Sequence, residues 1–204
     1  MKRSVLLFLW IILCLERCIP LLVQQNLDGS NFFNRSWAEF RVGFNNSRGN
    51  YWLSNELLSQ LTLSGRYKLH FDLQSRANHN WYYAEYRSFT VQSEQTNYRL
   101  QVSGYSGNAG RDAFAYHNGH MFTTYDRDND RARTNCAVMH GGGFWYKKCA
   151  ECEVNTIPGH GDDFSWEGLP GGKGLQASRM WLMCLWIRPS IHHAGIVVTS
   201  AWWK

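Results

Sequence analysis

Residues 123–149 read TTYDRDNDRARTNCAVMHGGGFWYKKC, and the reading of this stretch decides the fold. Asp126, Asp128 and Asp130 occupy alternate positions, Arg127, Arg131 and Arg133 are interleaved with them, and Cys136 and Cys149 close the run. Three carboxylates this close repel one another unless a cation sits among them. Two cations are open to them. One is the guanidinium set of a solvated turn; the other is calcium, which gathers about six to eight oxygen ligands at roughly 2.3–2.6 Å. The spacing excludes an EF-hand, because the positions that need Gly and Glu, counted from Asp126, hold Arg131 and Ala137.

The chain has 204 residues, enough for one domain with a substantial core. Aromatic residues make 15% of it and charged residues only 18%, a balance that excludes a disordered chain. Eighteen glycines against four prolines point to many turns and close backbone approaches. The net charge is +5, but Lys and Arg are scattered without a block, which argues against nucleic acid as a partner.

Lys2 and Arg3 precede an uncharged run, Ser4–Leu15, that Glu16 and Arg17 interrupt. A bilayer-spanning helix needs about 20 apolar residues, so this run has the form of a secretory signal peptide. Glu16 and Cys18 make a poor cleavage pair. Residues 1–22 are therefore expected to be a signal peptide or an uncleaved signal anchor, and only the anchor would bring the chain to a membrane. Cysteines fall at 14, 18, 136, 149, 152 and 184. In an exported chain the last four point to disulfides; zinc is disfavoured because Cys149 and Cys152 form a close pair with no matching second pair. Sequons at Asn34 and Asn45 suit a glycosylated extracellular surface.

Ser36 with Glu39 three residues on predicts a capping box and a short helix that Gly43 ends. A second short helix is expected from Ser54 to about Gly65. The period then changes to two: Tyr67, Leu69, Phe71 and Leu73 alternate with Lys68, His70, Asp72 and Gln74. WYYAEYRSFTV and YRLQVSGY continue it, predicting an antiparallel sheet with one wet face. From Ser103 to Gly174 no helical stripe persists. RMWLMCLWI, apolar on both faces, reads as a central strand covered on both sides. The fold class is α+β, with functional material in the loops.

The segments LDGSNFFNRSWAEFRVGF, GYSGNAG, YHNGHMFTTYDRDND and NCAVMHGGGFWYKKC, in that order, resemble the fibrinogen C-terminal domain, the module of fibrinogen chains, ficolins, tachylectins, angiopoietins and tenascins. The resemblance runs from about Val23 to Cys149 and returns at DDFSW and MWLMCLWIRP. It implies a truncated fibrinogen C-terminal-like domain over residues 23–190, lacking the family's N-terminal subdomain, with 191–204 as an extra tail. A domain without that subdomain is expected to be less stable than a full-length relative.

By the same resemblance, calcium would be held by the carboxylates of Asp128 and Asp130 and the carbonyls of Ala132 and Thr134, with Asp126 behind them. A disulfide would join Cys136 to Cys149. In ficolin-like members this region frames a pocket for acetylated sugars, shaped by a cis peptide before the second cysteine and usually followed by His. The matching residues here are His140, Trp145, Tyr146, Lys148, Ala150 and His160. Ala150 stands where the histidine would donate to an acetyl carbonyl, so packing of these aromatics is the expected role, ahead of sugar binding. His160, Asp162 and Asp163, and separately His117 and His120, read as turns and not as metal sites.

No nucleophile elbow, HExxH or phosphate loop is present, so no enzymatic activity is expected. The expected function is a secreted, calcium-stabilised, lectin-like recognition or adhesion module for a glycan, matrix or receptor ligand. The alternative is a truncated, poorly folding product without binding activity of its own.

Overall fold

The computed structural model describes residues 19–27, 30–156 and 164–185. Most of the leader (1–18), the tail (191–204), and His160, Asp162 and Asp163 lie outside the described residues.

The period-two stretches form one side of an antiparallel sheet. Its strands are β1 (Leu21–Asn26), β2 (Phe44–Asn45), β3 (Tyr51–Trp52), β4 (Tyr67–Ser75), β5 (Trp81–Val91), β6 (Leu100–Gly107) and β9 (Leu175–Cys184). They lie in the order β2-β3-β1-β9-β4-β5-β6. Along β4 every second side chain is buried, and Leu69, Phe71 and Leu73 are fully so. The register sets His70 opposite Glu85 on β5 and Trp181 on β9, so the polar alternates share the other face. Leu21 and Leu22 stand at the start of β1 and pair with Leu182 and Trp181.

Both short helices form. In α1 (Trp37–Val42) the Ser36 hydroxyl accepts from the Glu39 amide and the Glu39 carboxylate accepts from the Ser36 amide. Gly43 ends it at φ 88°, where an added Cβ would run into the Leu53 carbonyl. Ser54 caps α2 (Asn55–Thr62), accepting from the Leu57 amide. Helix α2 packs on β5, whose Val91 amide donates to the Thr62 hydroxyl.

The prediction for the late strand needs one correction. β9 is central, between β1 and β4, and Met180 and Leu182 are fully buried. It is not covered on its other face, where Arg179, Trp181 and Met183 are only half-buried. The apolar residues there are accommodated by a charged network: the Trp181 indole donates to Asp72 at 2.8 Å, and the His70 ring contacts Asp72 at 3.1 Å and Glu85 at 3.0 Å. Lys68 completes it with two 2.7 Å bonds to Glu85. An indole lies comfortably there because its N–H has a carboxylate partner.

The covered face carries the loop-rich half. Two further short strands, β7 (Cys152–Glu153) and β8 (Ser165–Trp166), pair with each other, and a single helical turn, α3 (Cys136–His140), follows the aspartate loop. With so little backbone ladder, aromatic rings supply the packing. Phe71 on the sheet meets Phe114 and Trp166 at 5.1 and 5.2 Å, and Phe122 joins Phe40 to Trp145 at 5.0 and 5.1 Å. Truncating any one of these buried rings to alanine costs about 3–5 kcal/mol in comparable cores. Buried amides tie the halves together: Gln24 and Asn26 on β1 both donate to the Val154 carbonyl, at 2.7 and 3.2 Å.

Candidate functional site

The aspartate loop is a turn held from both sides. Thr123 bridges to Phe144, and Thr124 pairs with Arg127 across a tight reversal. Asn129 fixes its position by donating to the Phe122 carbonyl at 2.8 Å. Asn135 is the second anchor. Its amide donates to the carbonyls of Thr124 (3.0 Å) and Tyr125 (3.3 Å), while its oxygen caps α3 by accepting from Ala137 (2.8 Å) and Val138 (3.2 Å). Cys136, the first residue of that turn, is bonded to Cys149 across a Cα–Cα distance of 5.4 Å.

Within this frame the three aspartates separate into two roles. Asp126 turns away, its carboxylate accepting from the Trp37 amide that opens α1 (2.9 Å) and from the Thr124 hydroxyl (2.7 Å). Asp128 and Asp130 stay together. Asp128 accepts from the Asp130 amide at 3.1 Å, and Asp130 accepts from the amides of Ala132 and Cys136, both at 2.8 Å. Burial pushes the Asp130 carboxyl above its usual range; those two amide bonds oppose the rise and the Asp128 charge adds to it.

The arginines do not neutralise this pair. Arg127 lies over the Trp37 ring at 4.2 Å and approaches Glu94 at 3.8 Å. Arg131 and Arg133 are exposed and form no ion pair among the described residues. The carbonyl oxygens of Ala132 and Thr134 accept no hydrogen bond from any described residue. Carboxylates and carbonyls with open lone pairs are oxygen ligands of the kind calcium takes. No three His, Cys, Asp or Glu side chains converge among the described residues.

The expected ligand pocket divides. His140, Lys148 and Ala150 share a cleft of about 350 Å3 with Glu151, Glu153 and Glu167. His140 approaches Glu153 at 3.3 Å and stacks on Tyr146. Trp145 and Tyr146 do not line the cleft; both are fully buried, the indole donating to the Tyr98 carbonyl and the phenol to the Gly142 carbonyl. The Lys148–Cys149 peptide is trans, since none of the described peptide bonds is cis, and Cys149 instead adopts φ 50°. Asn34 and Asn45 are both exposed, as a glycan acceptor must be.

Two roles were hidden from sequence reasoning. His117 is fully buried, with Nδ1 2.8 Å from the Trp145 carbonyl and Nε2 3.4 Å from the Cys152 amide; burial pushes its pKa down to about 4. Cys152 is a buried thiol beside it and is not bonded to Cys184. The HNGH turn carried no periodic signal, because a single inward ring in a turn has none.

The sheet, the disulfide-bound acidic loop and the adjoining cleft together define a fibrinogen-like globe. The family described as "Fibrinogen beta and gamma chains, C-terminal globular domain" matches residues 20–190, and the chain belongs to it. It is similar to tenascin from Gallus gallus, 40% identical over 158 residues, which are 74% of this chain but 8% of that protein. The match to human ficolin-3 is 39% identical over 66% of this chain and 45% of that one, so the chain spans less than half the length of these relatives. Among solved structures, the fibrinogen-like globe domain of human ANGPTL2 superposes with a TM-score of 0.73 at 36% identity, covering 81% of this chain and 80% of that one. Among the described residues, no helix is long and apolar enough to cross a membrane.

Proposed function

We propose that the chain is an extracellular, non-enzymatic recognition module whose binding end is stiffened by calcium at Asp128 and Asp130 and the carbonyls of Ala132 and Thr134. The supporting observation is the uncompensated pair itself: two adjacent carboxylates, one partly buried, that none of three nearby arginines approaches. Membership of a family that includes tenascin-like and ficolin-like chains supports recognition as its role. The ligand is a glycan, a matrix component or a receptor. Ala150 offers no side-chain hydrogen-bond donor, and the cleft presents carboxylates and lysines where an acetyl methyl would need an apolar wall, so a polar protein ligand suits it better than an acetylated sugar.

A thermal melt of the secreted full chain in calcium and then in chelator tests the metal. Saturation at a hundred times the dissociation constant adds about 2.7 kcal/mol, which for this length raises Tm by roughly 5–10 °C. The double variant Asp128→Asn/Asp130→Asn should melt alike in both buffers. A wild-type chain indifferent to chelator, or a variant that still responds, removes calcium from these residues.

A further inference from the structure

Away from the cleft, the fold gathers cations that are scattered along the sequence. The start of β6 is stitched to the HNGH turn: the Leu100 amide donates to the His120 carbonyl at 2.9 Å, and the Arg99 guanidinium donates to the Gly119 carbonyl at 2.9 Å. Lys147 joins the same turn from the segment before Cys149. Its ammonium lies over the Tyr116 ring at 4.6 Å, and its carbonyl accepts the Arg131 amide at 2.8 Å. Arg99, Arg131 and Lys147 therefore reach His120 from three separate segments.

Their charges are not balanced within the fold. None of the three forms an ion pair among the described residues. Asp128 and Asp130, next to Arg131 in sequence, accept from backbone amides, and Asp126 accepts from the Trp37 amide and the Thr124 hydroxyl. Glu94 is shared by Arg41 and Arg127. At His120 itself, burial is the main cause that pushes the pKa below its ordinary value. Arg131, Lys147 and Arg99 add to the fall, and no carboxylate among the described residues opposes them.

His120 adds a second, independent observation. It is only 8% exposed, and its ring forms no hydrogen bond with any described residue, yet its ring nitrogens still reach solvent. A polar ring held in the wall with its nitrogens open is a ready donor to something that enters from outside. Guanidinium and ammonium groups around it bind oxyanions through charge-assisted N–H bonds. Three full positive charges exceed what one carboxylate or one sulfate ester balances, so the cluster suits a chain that carries several such groups. None of the exposed large apolar residues belongs to these segments, so the apolar centre of a protein interface is missing.

We propose that Arg99, His120, Arg131 and Lys147 form a binding site for a sulfated glycan chain, separate from the cleft, which none of them lines. The proposal rests on the reading of the chain as an extracellular recognition module; it does not require calcium.

Isothermal titration of the purified full chain with a heparin octasaccharide, in calcium and in chelator, tests it. The wild type should bind in both buffers and more weakly as salt is added. The same octasaccharide stripped of its sulfates should bind at least about tenfold less tightly, and so should the intact one to Arg99→Gln/Lys147→Gln. Arg131 is left in place because it lies between two proposed calcium ligands. Arg66→Gln/Arg87→Gln removes the same charge from exposed positions outside the cluster and should bind like the wild type. Lys147→Gln alone keeps the Arg99 bond to Gly119, so its partial loss of binding at an unchanged melting temperature separates a lost site from a lost fold. Absence of wild-type binding, equal binding of the desulfated chain, an equal loss in Arg66→Gln/Arg87→Gln, or tighter binding of poly-glutamate than of heparin overturns the proposal. Each of these outcomes is read whether or not the melt responds to chelator, so a failure here is distinct from a failure of the calcium reading.

Discussion

His117 should make the domain lose stability on mild acidification by an amount the structure fixes. Its Nδ1–H donates to the Trp145 carbonyl at 2.8 Å and its Nε2 accepts the Cys152 amide at 3.4 Å, an arrangement only the neutral ring satisfies. Protonation would bury an imidazolium among Phe114, Phe144 and Trp145, and for that reason its pKa falls from 6.5 to about 4. The unfolded chain binds the proton below pH ~6.5 and the folded chain does not until pH ~4. Stability therefore falls as pH drops through that window and is complete above it. At 1.36 kcal/mol per unit, the loss is about 3 kcal/mol. His70 runs the other way. Its pKa is raised by the bond to Asp72, so its contribution is full below the unfolded value and fades only as pH climbs through the folded one, outside this window. Urea unfolding followed by tryptophan fluorescence, at steps from about pH 7 to about pH 4, should show the wild type losing ~3 kcal/mol more than His117→Asn, which keeps a donor near Trp145 but cannot titrate. Parallel curves for the two proteins, or an NMR titration placing His117 near its ordinary value, would refute the reasoning.

Two further outcomes can be checked by the same unfolding assay. Ser36→Ala removes the hydroxyl half of the capping box that starts α1 and should cost about 1 kcal/mol, while the Ser36 amide, the main group holding the Glu39 carboxyl below its usual range, keeps its bond. Replacing Cys136 and Cys149 together by alanine opens a closure of 13 residues and should cost up to about 3 kcal/mol; an unchanged midpoint would mean that Asn135 and the aromatic core suffice to hold the loop.

The sheet and the early helices were legible because each rests on a local signal. The alternation in β4 repeats until the strand ends and that in β5 slips once, between Tyr86 and Phe89, while Ser36 and Glu39 sit at the one spacing that lets each satisfy the other's amide. The short strands β2, β3, β7 and β8 were not legible. Two residues carry no period, and they are set by partners distant in sequence, as when Cys152 pairs with Trp166. β9 was read correctly as central and wrongly as doubly covered. Trp181 and Met183 look like core on any hydrophobicity scale, yet the register sets them on the open face opposite His70 and Lys68, where Asp72 accepts the Trp181 indole N–H.

At the site, the resemblance anticipated the Cys136–Cys149 bond, while the anchoring amides of Asn129 and Asn135 carried no signal in the sequence. Trp145 and Tyr146 entered as pocket candidates through the family resemblance, with packing as their expected role, and both are fully buried. A loop-rich half without a hydrogen-bonded ladder must find its cohesion in side chains, and the largest rings available are drawn inward: Trp145 reaches Trp52, Phe114 and Phe122. Their withdrawal leaves the surface to what cannot be buried. The cleft is consequently lined by Lys148, Ala150, Glu151 and Glu167, and the tip by three arginines and an aspartate pair. The same inward demand makes Val138 and Met139 informative. Most of the described rings are drawn inward, whereas these two aliphatic side chains on the short turn α3 stay 62% and 55% exposed.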